Sequence, residues 1–168
     1  MKQNQYRPSV GSDASRRPDA INVTGRAAVI TIVHNEKFFL PIWVGIFEAN
    51  AIALQLENVT TPRPMTHDLL RNMISELDAR VTRVVITDLR DSTFFAQIRV
   101  ITGGRTMEID ARPSDAIALA LRTEAPIFVA QSVLEQAQTI SPDGDDQDEK
   151  LKKWFEQLGP EDMGKYKM

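Results

Sequence analysis

One phrase occurs twice in this chain and limits how it can fold. Ala51-Ile52-Ala53-Leu54-Gln55-Leu56 reappears as Ala116-Ile117-Ala118-Leu119-Ala120-Leu121. Each copy follows a strand-like run, Phe39–Val44 and Thr106–Ile109, and each is soon followed by a proline, Pro62 and Pro126. Alanine is the best helix former, and Ile52 with Leu56, or Ala49 with Ala53, stand four residues apart on one helical face. The phrase therefore predicts two small-residue helices, Glu48–Leu56 and Ser114–Arg122, that pack closely into a core. Its apolar side chains build the fold and carry no chemistry.

Around these helices the pattern alternates. Ala27–Val33 and Phe38–Val44 are β-branched or aromatic runs joined by a polar turn, which predicts a pair of strands. Thr66–Leu77 places Leu69, Leu70, Met73, Ile74 and Leu77 on one amphipathic helical face, with Thr66 as the expected N-cap. Val81–Leu89 and Thr93–Ile101 read as strands about a hairpin-length turn, Arg90-Asp91-Ser92. Gly103-Gly104 turns the chain into Arg105–Ile109, and Ile127–Ala130 is a last short strand. The expected architecture is α+β: a mixed β-sheet with packed helices in a single domain over residues 26–136. Residues 1–25, polar and without periodicity, read as a disordered arm. Residues 137–168 read as an acidic linker and a short amphipathic helix built on Leu151, Trp154, Phe155 and Leu158.

Composition removes several function classes. With 168 residues and no cysteine there is no disulfide, thiolate metal site or cysteine nucleophile. No signal-peptide core or membrane-length apolar run is present, so the expected location is the cytoplasm, with no membrane partner. The net charge is −3. Residues 26–136 carry eleven basic and thirteen acidic groups, scattered rather than gathered in a basic stripe. Gly103-Gly104 lacks the Gly-Lys-Ser/Thr of a phosphate loop, and two histidines, His34 and His67, offer no zinc-ligand spacing.

The uncommon polar residues stand at helix entrances. Glu48 opens the first Ala-rich helix. Asp110, Arg112, Ser114 and Asp115 open the second. Arg63, His67 and Asp68 open the helix between them. A helix N-terminus offers unpaired N–H groups and a positive dipole end, so Arg63, Arg112 and Ser114 are the candidate phosphate ligands. Glu48, Asp110 and Asp115 are candidate oxygen ligands for Mg²⁺ or Mn²⁺. With His67 and Asp68 they make up the candidate catalytic set. Helix capping and ion pairing account for many of the same residues without any chemistry.

Several ordered motifs among these residues resemble the bifunctional nuclease (BFN) domain family. They are Leu40–Gly45 with Glu48-Ala49, Pro62–Leu70, Thr93–Ala96 and Ile109–Ala120. The resemblance spans about residues 26–136. It extends to Leu151–Lys167, which is similar to an extension of many bacterial members. It implies a small α+β domain, usually assembled as a homo-oligomer. The plant members give the family its name and are described as cleaving both RNA and DNA. The matching residues are Glu48, His67, Asp68, Asp110, Arg112 and Asp115.

Two functions follow. One is a metal-assisted nuclease acting on nucleic acid, with Arg63 and Arg112 on phosphate and His67 as general acid or base. The other is a non-catalytic module that binds a nucleotide or other small anion. A structural role, with Trp43, Trp154 and Phe155 as anchors between subunits, is a third reading. The nuclease requires the three helix entrances to converge.

Overall fold

The computed structural model describes residues 20–24, 27–34 and 38–137. The segments read from sequence as an arm and as a C-terminal linker and helix fall mostly outside them. Inside the arm as read, however, Ala20–Thr24 forms a strand, β1. Five residues are too few to announce a strand by pattern alone. Pairing supplies it: β1 lies antiparallel to β2, Ala27–His34, with Ile21 opposite Ile30 and Val23 opposite Ala28. Next, β3, Phe38–Gly45, pairs antiparallel with β2 and completes a three-stranded sheet.

Two helices follow: α1, Ile46–Leu56, and α2, Thr66–Glu76. The long hairpin comes next, β4, Ala79–Arg90, with β5, Thr93–Thr102. Asp91 and Ser92 both take positive φ at its turn, 47° and 61°. The β5–β6 turn uses Gly103 and Gly104 in the same sense. Two successive positive-φ residues match the right-handed twist of hairpin strands. After β6, Arg105–Ala111, come α3, Pro113–Thr123, then β7, Ile127–Val129, and α4, Gln131–Gln136. β7 returns parallel to β4, so the second sheet is mixed, in the order β6-β5-β4-β7. The fold is α+β, as expected. None of the described helices is long and apolar enough to cross a membrane.

The two copies of the repeated phrase have unequal fates. In α3 every residue from Ala116 to Leu121 is buried. The alternating alanines let α3 sit between the mixed sheet and the other two helices, with only Asp115 and Thr123 of its residues not buried. In α1 only Ala49, Ala51 and Ile52 are buried. One core joins Leu40 and Ile42 of β3, Ile52 of α1, Val84 and Ile86 of β4, Ala96, Ile98 and Val100 of β5, and α3. Pro113 takes the first position of α3, where its missing N–H costs nothing. Glu124, left-handed at φ 56°, ends that helix just before Pro126.

Candidate functional site

The three helix entrances meet. Arg112, the N-cap of α3, sends three guanidinium N–H groups to two carboxylates. Its Nε donates to Asp115 Oδ2 at 2.8 Å and its Nη2 to Asp115 Oδ1 at 3.2 Å. Its Nη1 reaches across to Glu48 Oε1 of α1 at 3.1 Å. His67, in the first turn of α2, closes the chain, with Nε2 3.2 Å from Asp115 Oδ1. The order Glu48–Arg112–Asp115–His67 thus links α1, α3 and α2 in one polar strip.

Local sequence explains each placement. Pro113 fixes the start of α3 and leaves Arg112 extended, which brings its side chain back over Asp115 three residues on. Gly45 ends β3 and caps α1, and the Glu48 carboxylate folds back over it. A Cβ at Gly45 would collide with that carboxylate, so the glycine makes room for Glu48 beside Arg112. At α2 the cap is Met65 rather than Thr66, which is already helical. The Met65 N–H donates to Asp68 Oδ2 at 2.9 Å, so a carboxylate in the first turn does the capping that a threonine hydroxyl was expected to do.

Asp68 also belongs to a second ion pair. Arg122 Nε donates to Asp68 Oδ1 at 2.6 Å. The Arg122 side chain is only 3% exposed. Its Nη1 donates to the Ala118 carbonyl at 3.0 Å and its Nη2 to the Ala51 carbonyl at 3.1 Å. One buried guanidinium therefore ties α1, α2 and α3 together beneath the strip. The sequence reading did not single out Arg122. Its signal was an arginine closing the apolar run Ala116–Leu121.

Electrostatics follow from this geometry. For Asp115, burial opposes ionisation, but hydrogen bonds from Arg112 and His67 outweigh it and hold the carboxyl below its ordinary value. For Asp68, burial likewise opposes ionisation, and the Met65 N–H and Arg122 win. The hydrogen bond to Asp115 raises Arg112 above its ordinary value, with Glu48 adding to the effect. Arg112 and Asp115 therefore hold one another charged beside the histidine.

The remaining candidates lie elsewhere. Asp110 is on β6 opposite Gln97, while its neighbours Ile109 and Ala111 oppose Ile98 and Ala96, which face the core. Strand alternation therefore turns Asp110 to the other side of the sheet, away from α3. It does not join Glu48 and Asp115. Arg63 is exposed ahead of α2, and its carbonyl accepts a hydrogen bond from the Thr61 hydroxyl at 2.8 Å. Ser114 is buried in the first turn of α3. Among the described residues no three His, Cys, Asp or Glu side chains gather to hold a metal ion. Glu48 and Asp115 already share a cation, the Arg112 guanidinium, so the donor set expected for Mg²⁺ or Mn²⁺ does not fit as arranged.

Comparison with known proteins agrees with the motifs. Residues 28–142 match the family described as Bifunctional nuclease domain. An uncharacterized protein of Mycobacterium tuberculosis is 40% identical over 135 residues, 74% of this chain and 80% of that protein. Bifunctional nuclease 1 of Arabidopsis thaliana is 29% identical over 106 residues, 61% of this chain but only 33% of the plant protein. Bifunctional nuclease 1 of Oryza sativa subsp. japonica is 26% identical over 110 residues, 64% of this chain and again 33% of its own length.

Proposed function

Because this chain belongs to the bifunctional nuclease domain family, we propose that its helix-entrance strip hydrolyses phosphodiester bonds in DNA or RNA. The observation that carries the reading is the convergence of Glu48, Arg112, Asp115 and His67 from three helices. His67 is the proton carrier. Asp115 holds its Nε2 and so selects the tautomer and ring orientation, which leaves Nδ1 for a substrate or water proton. Arg112 is the phosphate ligand. A guanidinium has five N–H donors, and carboxylates engage three of these, so two are left for phosphate oxygens. Its side chain is 62% exposed, so a substrate can approach it. Glu48 keeps Arg112 in place, and Arg63 offers a further phosphate contact ahead of α2. Asp68 positions α2 through Arg122 and takes no part in the chemistry. No step is assigned to a metal.

The test is cleavage of single- and double-stranded DNA and RNA by the purified protein, with Mg²⁺, with Mn²⁺ and with EDTA. His67→Ala is expected to lower the rate about 100- to 10,000-fold, the range for loss of a general acid or base. Asp110→Asn, on the opposite sheet face, is expected to cleave like the parent. Loss of activity in Asp110→Asn with none in His67→Ala would move the chemistry to the other face. Activity only with added metal would mean that an ion takes the place of Arg112 between Glu48 and Asp115.

One observation favours a second reading, a non-catalytic module for a small anion. Arg112 stands between two carboxylates, Glu48 and Asp115, whose charges together repel a polyanion, while its two free guanidinium N–H groups suit a single small anion. A nucleotide that raises the melting temperature while no substrate is cleaved under any metal condition would select this reading.

A further inference from the structure

Two arginines stand side by side on the face of the mixed sheet that looks away from α3. Val84 and Ile98 belong to the core, so strand alternation sends their neighbours Arg83 of β4 and Arg99 of β5 to the opposite face. The strand register sets the two arginines directly opposite one another. Like charges in that position destabilise a sheet. Both Nε groups are also buried without a hydrogen-bond acceptor among the described residues. A buried N–H left unpaired costs its desolvation with nothing in return, and native folds keep few of them.

The surrounding side chains do not resolve this. Glu108 of β6 accepts a hydrogen bond from Arg99 Nη2, which leaves Arg99 Nε unpaired. Arg83 lies one strand further from Glu108 in the order β6-β5-β4-β7, and Glu108 is the one carboxylate whose charge reaches it. Asp110, also on this face of β6, stands opposite Gln97, two strands from β4. Asp88 is taken by Arg90. On its other side Arg83 meets an aromatic ring: its guanidinium carbon is 6.0 Å from the centroid of Phe128 on β7. β7 itself, Ile127–Val129, has no charged residue. Burial and the charge of Arg99 push Arg83 below its ordinary value, and Glu108 opposes them only in part.

We propose that Arg83 and Arg99 together bind a phosphate group, with Phe128 as a wall of the site. The geometry selects this ligand class. Two guanidinium forks side by side bring N–H donors to one point from two directions. A phosphate has oxygens enough to accept from both, whereas a carboxylate matches a single fork. Its negative charge also relieves the repulsion between the arginines. The Arg99 side chain is 34% exposed, so an anion reaches the pair from solvent. The ring beside the pair suits a nucleotide base, which stacks on an aromatic face. The phosphate can be free, part of a mononucleotide or part of a nucleic-acid backbone. The site lies across the sheet from the helix-entrance strip and does not depend on the activity assigned there.

The test follows the melting temperature of the full chain at fixed ionic strength. Inorganic phosphate, adenosine monophosphate and a single-stranded oligodeoxynucleotide are titrated separately, the last in a His67→Ala background so that the strip does not cut it. A ligand at about a hundred times its Kd is expected to raise the melting temperature by about 5–20 °C. The rise should vanish in Arg83→Gln and persist in Arg112→Gln, which alters the strip. Arg83→Lys keeps the charge but not the fork, and should bind at least about tenfold more weakly. It carries the test if Arg83→Gln does not fold. Adenosine monophosphate binding more tightly than phosphate, with the difference lost in Phe128→Ala, identifies a nucleotide site. An oligonucleotide binding more tightly still, and losing that in Arg83→Gln, identifies a strand, and equal binding of all three identifies the phosphate group alone. A rise that survives both changes at Arg83, a rise that Arg112→Gln abolishes, or no rise with any of the three ligands overturns the proposal.

Discussion

α2 and α3 are each eleven residues long and each carry part of the polar strip, yet the domain holds them in opposite ways. α3 buries nine of its residues, including an arginine; α2 buries none. Small residues make the difference. Alanines along α3 let the sheet and two helices approach it on all sides, whereas leucines and methionine on α2 make a wide face that the domain meets only at its edge. The strip therefore joins residues of a buried helix, Arg112 and Asp115, to one on a helix with no buried residue, His67. Arg122 and Asp68 bridge that contrast, since the buried guanidinium on α3 is what holds the first turn of α2.

The largest effect is expected in the heart of α3. Ile117→Ala removes a side chain with no exposed surface and should cost about 2–5 kcal/mol in denaturant unfolding. A cost under 1 kcal/mol would mean that α3 is not the anchor. Arg122→Ala comes next. It leaves the Ala51 and Ala118 carbonyls and Asp68 without their partner, at about 1–3 kcal/mol, and amide exchange should quicken in α2 more than in α3. Equal quickening in both helices would break the link between the pair and α2.

Acid should loosen the strip in a defined direction. Asp68 and Asp115 both titrate lower in the folded protein than their ordinary value of 3.8. Their contribution is therefore complete above that value and is lost as pH falls through the lower folded values. Melting temperature followed from pH 5 downward should fall below about pH 4, less steeply in Asp115→Asn. The smallest effect is expected on the exposed face of α2. Ser75→Ala should stay within about 0.5 kcal/mol of the parent, and a larger loss would show that α2 is held more tightly than its exposure indicates.

Much of this was legible from residue order. The hairpin strands, the proline start of α3, the amphipathic α2 and the polar helix entrances all follow from local pattern. Asp110 shows where local pattern stops. It stands two residues from Arg112 and looks like its neighbour, but one step of strand alternation sends it to the opposite side of the sheet. β1 was invisible because its hydrogen bonds all come from β2. Asp68 does the capping expected of Thr66 because its carboxylate reaches the Met65 N–H and Arg122 together.

The sequence by itself determined that two Ala-rich helices form and that charged groups gather at their entrances, because helix propensity and capping act over a few residues. Only the tertiary structure decided that Glu48, His67, Arg112 and Asp115 meet and that Asp110 does not. Those contacts span up to 64 residues of chain, and their partners are selected by strand register and by which helix the core can surround.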